Sequence, residues 1–287
     1  MAHAYQQVLE DLTRAIYAGR YQPGDFLPTV RDLADEYGIS PSTGRQAVNE
    51  LQRMGLAYSG YVNGKRGVIV RSRGRTDFHA TDALRPGRAG SGTDAFTENA
   101  RKTHRVPAKR FTMVMRVPPA HVARRLGLPA DTIVVERTTL QLLDGEPWSR
   151  ERSWYAPDLA AKTGLDSPHD IEEGTIRRLA EQGFRETAHR DEVTDAAANE
   201  EDSADLGVIL GAPLLVQTRT AATDTRVTRV TQTVRLGGRN RLIWETGNEE
   251  GIDAIRRQLA EGSKLADTVD DEAPTDGYRE STEGSEL

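Results

Sequence analysis

Apolar residues follow two different periods along this chain. Near the N-terminus Ala47, Val48, Leu51 and Met54 recur at helical spacing, which predicts a helix with one buried face; another helix is expected over 5–18. From residue 111 the period is two. Phe111, Met113, Met115 and Val117 alternate as a half-buried strand does, and Pro118-Pro119 ends it. At 287 residues the chain is long enough for two domains, each with its own core.

Local signals sharpen the first half. Thr29 can cap a helix, with Asp32 reaching back three residues on to close a capping box. Gly38 supplies the left-handed stop, and Ser40 caps a second helix whose first position, Pro41, needs no N–H. Helices joined by so short a turn cross steeply, so the N-terminus of the second one projects. Ser42, Thr43 and Arg45 stand on that end, where hydroxyls reach phosphates or bases and arginine forks onto guanine. Arg31 lies in the first turn of the preceding helix, poorly placed against that helix's dipole, which points to an external anion as its partner. Beyond Gly55, two short strands flank Asn63-Gly64-Lys65-Arg66-Gly67. Asn-Gly is a tight-turn signal, and it sets Lys65 and Arg66 at a hairpin tip. The expected module over 1–71 is a winged helix-turn-helix that puts its second helix in the major groove and its basic wing on phosphate or the minor groove. Gly44 is the exception, costing about 1 kcal/mol against alanine in a helix interior. It marks either a close approach of the backbone, to DNA or to the neighbouring helix, or a weak helix.

Residues 5–8 through Ile16, with Gly19-Arg20-Tyr21-Gln22-Pro23-Gly24-Asp25-Phe26-Leu27-Pro28-Thr29-Val30-Arg31-Asp32-Leu33-Ala34, resemble the N-terminal domain of GntR-type bacterial transcription regulators. The resemblance implies operator reading by Arg31, Thr43 and Arg45 and a wing that enters the minor groove. The chain departs from the family at Pro41, at Gly44 and at Gly67-Val68-Ile69, so no operator sequence is carried over.

The formal net charge is −6, yet residues 1–75 hold ten Lys and Arg against seven Asp and Glu, a net of +3, and residues 246–287 hold four against twelve, a net of −8. An acidic tail thus masks a mildly basic head, whose affinity for phosphate should fall steeply with salt. Without cysteine, disulfides and thiolate chemistry are excluded. The six histidines are scattered and none is paired at i, i+4, so no metal site and no cofactor is expected. No run of eighteen apolar residues occurs, and a cytoplasmic protein without membrane contact is expected.

Residues 72–108, rich in Gly, Arg, Thr and Pro, are expected to be a linker, ordered in part at best. Within them, Gly87 to Thr93 is a weak phosphate-loop likeness that lacks its lysine. The pattern then predicts strands at 111–117, 132–143 and 146–155, the last two joined at Asp144-Gly145, helices at 120–126, 171–182 and 199–206, and strands at 186–195, 213–223 and 226–236. Strands dominate, and the helices are expected on one side of an antiparallel sheet, which makes the class α+β. A tail over 247–287 is expected to open with a short helix bearing Ile252, Ile255 and Leu259 and to be largely disordered beyond it.

The segments 117–128, Val135-Glu136-Arg137, Asp144-Gly145-Glu146-Pro147-Trp148 and Trp154-Tyr155-Ala156-Pro157 resemble the effector-binding domain of the HutC-type branch of those regulators, which shares its fold with chorismate lyase. The resemblance implies an effector-binding and dimerisation domain over 109–246. Arg137 and Glu151 match its ligand positions, Thr175 stands for its serine, and Arg177, Arg229 and Arg235 replace its tyrosine, carboxylate and tyrosine. Arg137 and Arg229 are as readily solvent-face residues balanced by Glu136 and Glu151; unpaired, such a cluster would await an anionic effector. The expectation is a homodimeric repressor on a pseudo-palindromic DNA operator, controlled by a small molecule. The alternatives are an enzyme on the lyase-like domain, or a second domain that only dimerises.

Overall fold

The computed structural model describes residues 2–62, 64–72, 76–79 and 94–271. The first three helices, α1 (Ala2–Tyr17), α2 (Val30–Tyr37) and α3 (Pro41–Arg53), enclose a core of Val8, Leu12, Ile16, Leu33, Ala47, Val48 and Leu51. Both helix starts are built as their sequences dictate. Thr29 and Asp32 form a reciprocal capping box, Gly38 is left-handed at φ 62°, and the Ser40 side chain accepts from the Thr43 N–H. Gly44 is buried under α2, where a Cβ would lie 3.3 Å from the Val30 carbonyl oxygen. The glycine therefore serves the approach of two helices. A hairpin of β1 (Ala57–Val62) and β2 (Lys65–Val70) completes the winged helix.

The next stretch differs from the linker expected of it. A strand β3 (Thr76–His79) and a helix α4 (Ala95–Lys102) occupy part of it, α4 capped by Asp94 and anchored by Phe96 and Ala100 against Leu143 and Trp148. Residues 80–93, including the phosphate-loop likeness, lie outside the described residues.

Six antiparallel strands then make one sheet: β4 (Pro107–Arg116), β5 (Val134–Leu143), β6 (Glu146–Tyr155), β7 (Ala188–Ala197), β8 (Pro213–Ala222) and β9 (Val227–Leu236), in the order β4-β5-β6-β9-β8-β7. Contrary to expectation, helices cover both of its faces. Helices α5 (Ala120–Leu126) and α8 (Glu200–Leu206) pack on the face carrying Val134, Trp154, Val230, Val234 and Leu236. On that face Arg150 donates to Asp202 at 2.6 Å and to Asp205 at 2.8 Å, fastening α8 to β6. Helices α6 (Pro157–Thr163), which has no counterpart among the expected elements, and α7 (Thr175–Glu181) pack on the other face around Val135, Tyr155 and Leu159. A short strand β10 (Asn240–Ile243) runs parallel to β3.

Residues 244–287 form a separate unit. Its helix α9 (Glu249–Asp271) is far longer than the short helix expected, with Ile255 and Leu259 exposed and Arg256 paired to Glu245. Residues 272–287 lie outside the described residues.

Candidate nucleic-acid interface and effector cleft

The projecting end of α3 and the tip of the wing carry the candidate DNA contacts. The Ser42 and Thr43 hydroxyls both bond the Ser40 hydroxyl, at 2.7 and 2.8 Å, so the cap orders them as a cluster. Arg31 and Arg45 are exposed and neither has an ion-pair partner among the described residues. Lys65 and Arg66 are exposed as well, and each rests over an aromatic ring: Lys65 over Phe26 at 5.3 Å and Arg66 over Tyr61 at 6.0 Å. Gly64 takes the turn at φ 77°, and Asn63 lies outside the described residues. The wing sits close to α2: the Asp32 carboxyl is held below its ordinary range first by the Thr29 hydroxyl and further by the nearby charges of Arg31 and Lys65. Helix start and wing thus present their cations together.

Phe26 is the residue that sequence reasoning missed here. Its ring lies against Gly67, where an added Cβ would fall 2.5 Å from Cδ1. The glycine at that wing position was the available signal.

In the sheet domain, the register places Arg137, Glu151, Arg229 and Arg235 on one face. The row through Glu151 reads Phe111, Thr139, Glu151, Thr233, Gln217, Val193 across all six strands. Arg177 does not join them; it pairs with Glu181 on its own exposed helix turn. Thr175 starts α7 and approaches the Tyr155 hydroxyl, whose pKa is raised by complete burial.

The arginines are not the solvent-face residues that charge balance with Glu136 and Glu151 would make them. Arg137 is buried over the Phe111 ring at 4.3 Å and donates to the carbonyls of Leu165, Ser167 and His169 at 2.8–2.9 Å. Arg229 is buried on Glu186, which also takes the Thr228 hydroxyl at 2.9 Å and faces His189 at 3.0 Å. Burial opposes the Glu186 charge, but Arg229 and His189 outweigh it and hold the carboxyl well below its usual range. Glu136 serves the opposite face, binding Arg116 and the Trp154 indole N–H, each at 2.8 Å.

Arg235 is different. It bonds the Gln217 side chain at 3.1 Å and borders a small cleft of about 20 Å³ between α4 and the sheet, walled by Phe96, Ala100, Leu143 and Trp148 with Asn99 and Gln141 among its polar lining. Burial pulls its pKa down to about 10, with Glu151 offsetting only part of the shift. Trp148 is the extra residue where the β5–β6 register slips, a bulge that turns it into the cleft wall. Among the described residues no group of three or more His, Asp or Glu is disposed to hold a metal, and no helix is long and apolar enough to cross a membrane.

A winged helix with exposed cations at its reading end, joined to a six-stranded α+β domain with a cleft, is the architecture of a ligand-sensing DNA-binding regulator. Residues 4–70 match the family model of bacterial regulatory proteins, gntR family, and residues 103–239 match the UTRA domain, so the chain belongs to the GntR-type transcription regulators with a UTRA domain. It is 27% identical over 217 residues to the HTH-type transcriptional repressor NagR of Bacillus subtilis, spanning 75% of this chain and 83% of that protein. A GntR-family regulator of known structure superposes with a TM-score of 0.53 at 22% identity, covering 86% of this chain and 98% of its own. PhnF from Mycobacterium smegmatis superposes with 0.52 at 18% identity, covering 84% and 100%. At these identities the two structures speak for the fold.

Proposed function

We propose that this regulator is a cytoplasmic homodimeric repressor that reads a pseudo-palindromic operator through Arg31, Ser42, Thr43 and Arg45 in the major groove and through Asn63, Gly64, Lys65 and Arg66 at the wing. The observation that carries this is a contrast in charge use. Arg137, Arg150 and Arg229 in the sheet domain are buried and hydrogen-bonded, whereas Arg31 and Arg45 stand exposed near two helix starts with no ion pair among the described residues. Two readers are needed because one short helix buries too little DNA to be specific. The relative NagR is by name a repressor, which supports that sign of control here.

The effector site in this proposal is the face bearing Arg137, Glu151, Thr175, Arg229 and Arg235, entered at the α4 cleft. Arg177 drops out of it, and Arg137 and Arg229 hold the frame. Arg235, which borders the cleft, is the member of the set proposed to meet an anionic group there. The family and its named relative are transcription regulators, which supports reading the domain as a sensor and not an enzyme. The test is selection of duplexes from a randomised pool by the full chain, followed by footprinting. Two half-sites whose centres are one helical turn apart, or a multiple of it, support the proposal; a single unpaired footprint or no selected sequence overturns it.

A further inference from the structure

One buried guanidinium bonds both the winged helix and the sheet domain. Arg71, just past the end of the wing strand β2, is 1% exposed. Its Nε donates to the Ala57 carbonyl at 3.2 Å within the hairpin, and its Nη1 donates to Glu146 at 2.9 Å at the start of β6. Nη2 donates to the carbonyls of Leu206 and Gly207 at 3.2 and 3.3 Å, at the C-terminal end of α8, where a cation is favoured. The Tyr58 ring lies 4.9 Å beneath the same guanidinium. Burial lowers the Arg71 pKa to about 10 against the pull of Glu146, which leaves it charged at neutral pH.

The anchor on the sheet side is shared with the cleft. Glu146 also accepts from Arg239, and Arg239 donates through Nη2 to the Ser72 carbonyl and hydroxyl, both at 2.7 Å. Arg239 and Arg105 lie over the Trp148 ring at 4.4 and 5.0 Å, and Trp148 is a wall of the cleft. On the reader side, the Ser59 N–H donates to the Gly207 carbonyl at 3.3 Å while the Ser59 hydroxyl takes a 2.7 Å bond from Gln52 of α3. Gly207 is left-handed at φ 62° and a Cβ there would fall 2.6 Å from the Ser59 carbonyl oxygen, so the two backbones meet without a side chain between them. The contacts run unbroken from the cleft through Trp148, Arg239, Glu146 and Arg71 to the wing and the reading helix.

We propose that Arg71 is the coupling residue of this regulator: with Glu146 it latches the winged helix to the wall of the effector cleft, so that the setting of the latch links occupancy of the cleft to the position of the reader. The cleft's part in this rests on the effector reading above, whereas the latch itself stands on the contacts of Arg71. Linkage is reciprocal, so DNA bound at the reader must alter the surroundings of Trp148 if the latch couples them.

The chain has three tryptophans, which permits 5-fluorotryptophan labelling of the full chain, with Trp148→Phe assigning its resonance by ¹⁹F NMR. Saturation with a selected duplex is expected to shift the Trp148 signal in the wild type. In Arg71→Gln, which leaves Glu146 paired to Arg239, that shift is lost while the duplex still binds. Arg71→Lys, retaining charge but not the three-way fork, restores only part of it. A Trp148 shift of equal size in Arg71→Gln, or none in the wild type with DNA bound, overturns the proposal. Calorimetry tests the latch without DNA. In the full chain, the winged helix and sheet domain are expected to melt in one transition in the wild type and in two in Arg71→Gln, with the winged helix going first; an unchanged single transition overturns the latch. If selection yields no duplex while Arg71→Gln splits the melt, the function reading fails and the latch stands.

Discussion

Glu186 and Arg229 form a bidentate ion pair closed off from water, with Nε to Oε1 at 2.8 Å and Nη2 to Oε2 at 3.0 Å and side chains 2% and 5% exposed. Removing one partner strands the other as a buried charge, a loss of about 3–5 kcal/mol. The carboxyl's folded-state pKa is depressed, so its stabilisation is fully present above the unfolded value of about 4.3 and declines as pH falls through that value toward the folded one. Thermal unfolding of the wild type should therefore weaken below about pH 4.3. Glu186→Gln should melt well below the wild type at neutral pH and show a flatter acid dependence. Parallel curves for the two proteins from pH 7 to pH 3 would refute the assignment.

Arg45 and the wing cations should behave differently on DNA. If Arg45 contacts a base, Arg45→Ala costs about 1–3 kcal/mol on a selected duplex and relaxes preference at one position of each half-site. Lys65→Ala and Arg66→Ala should each reduce the salt slope by about 1 and leave sequence preference in place. Fluorescence anisotropy over a salt series on selected and scrambled duplexes separates the two effects. Equal losses on both duplexes for Arg45→Ala would remove it as a base reader.

Gly67 lies under the Phe26 ring, and Phe26 in turn carries Lys65. Alanine at 67 forces the ring aside, an overpacking cost of about 1–3 kcal/mol. Because one displaced ring causes both effects, Gly67→Ala and Phe26→Ala should be less than additive when combined. Urea unfolding of the four proteins in the cycle measures this, and full additivity would show that the ring is not the obstacle.

What the sequence made legible was what is decided within a few residues. The Thr29–Asp32 box, the Gly38 stop, Ser40-Pro41 and the Asp144-Gly145 turn, with φ of 53° and 79°, are local, and so is the alternation that marks the strands. Contacts between distant segments were not legible. The acid that neutralises Arg229 is 43 residues away, and the partner of Arg71 is 75 residues away on an element that pattern alone places nowhere near it. The order found within the 72–108 stretch has the same cause, since β3 is a strand only by pairing with β10 at the far end of the sheet domain. Helix α4 could have been found: Asp94 caps it, and Phe96 and Ala100 stand four residues apart on one face.

The cleft gives the last prediction. An excess of unpaired arginines was the reason to expect an anionic effector, and the structure reduces that excess: Arg137 is spent on three carbonyls, Arg229 on Glu186 and Arg177 on Glu181. Arg235 is the arginine of the set that borders the opening, where it bonds Gln217 and lies near Glu151 and Asp191. An anion that binds the native state alone raises its stability by roughly 2.7 kcal/mol at a hundred times its dissociation constant. Thermal unfolding against inorganic phosphate, short carboxylates and neutral polyols should show stabilisation by members of the anionic set. Arg235→Gln should lose that response while Arg177→Gln keeps it. If Arg235→Gln responds as the wild type does, or if only neutral compounds stabilise the protein, the cleft does not recognise an anion through Arg235.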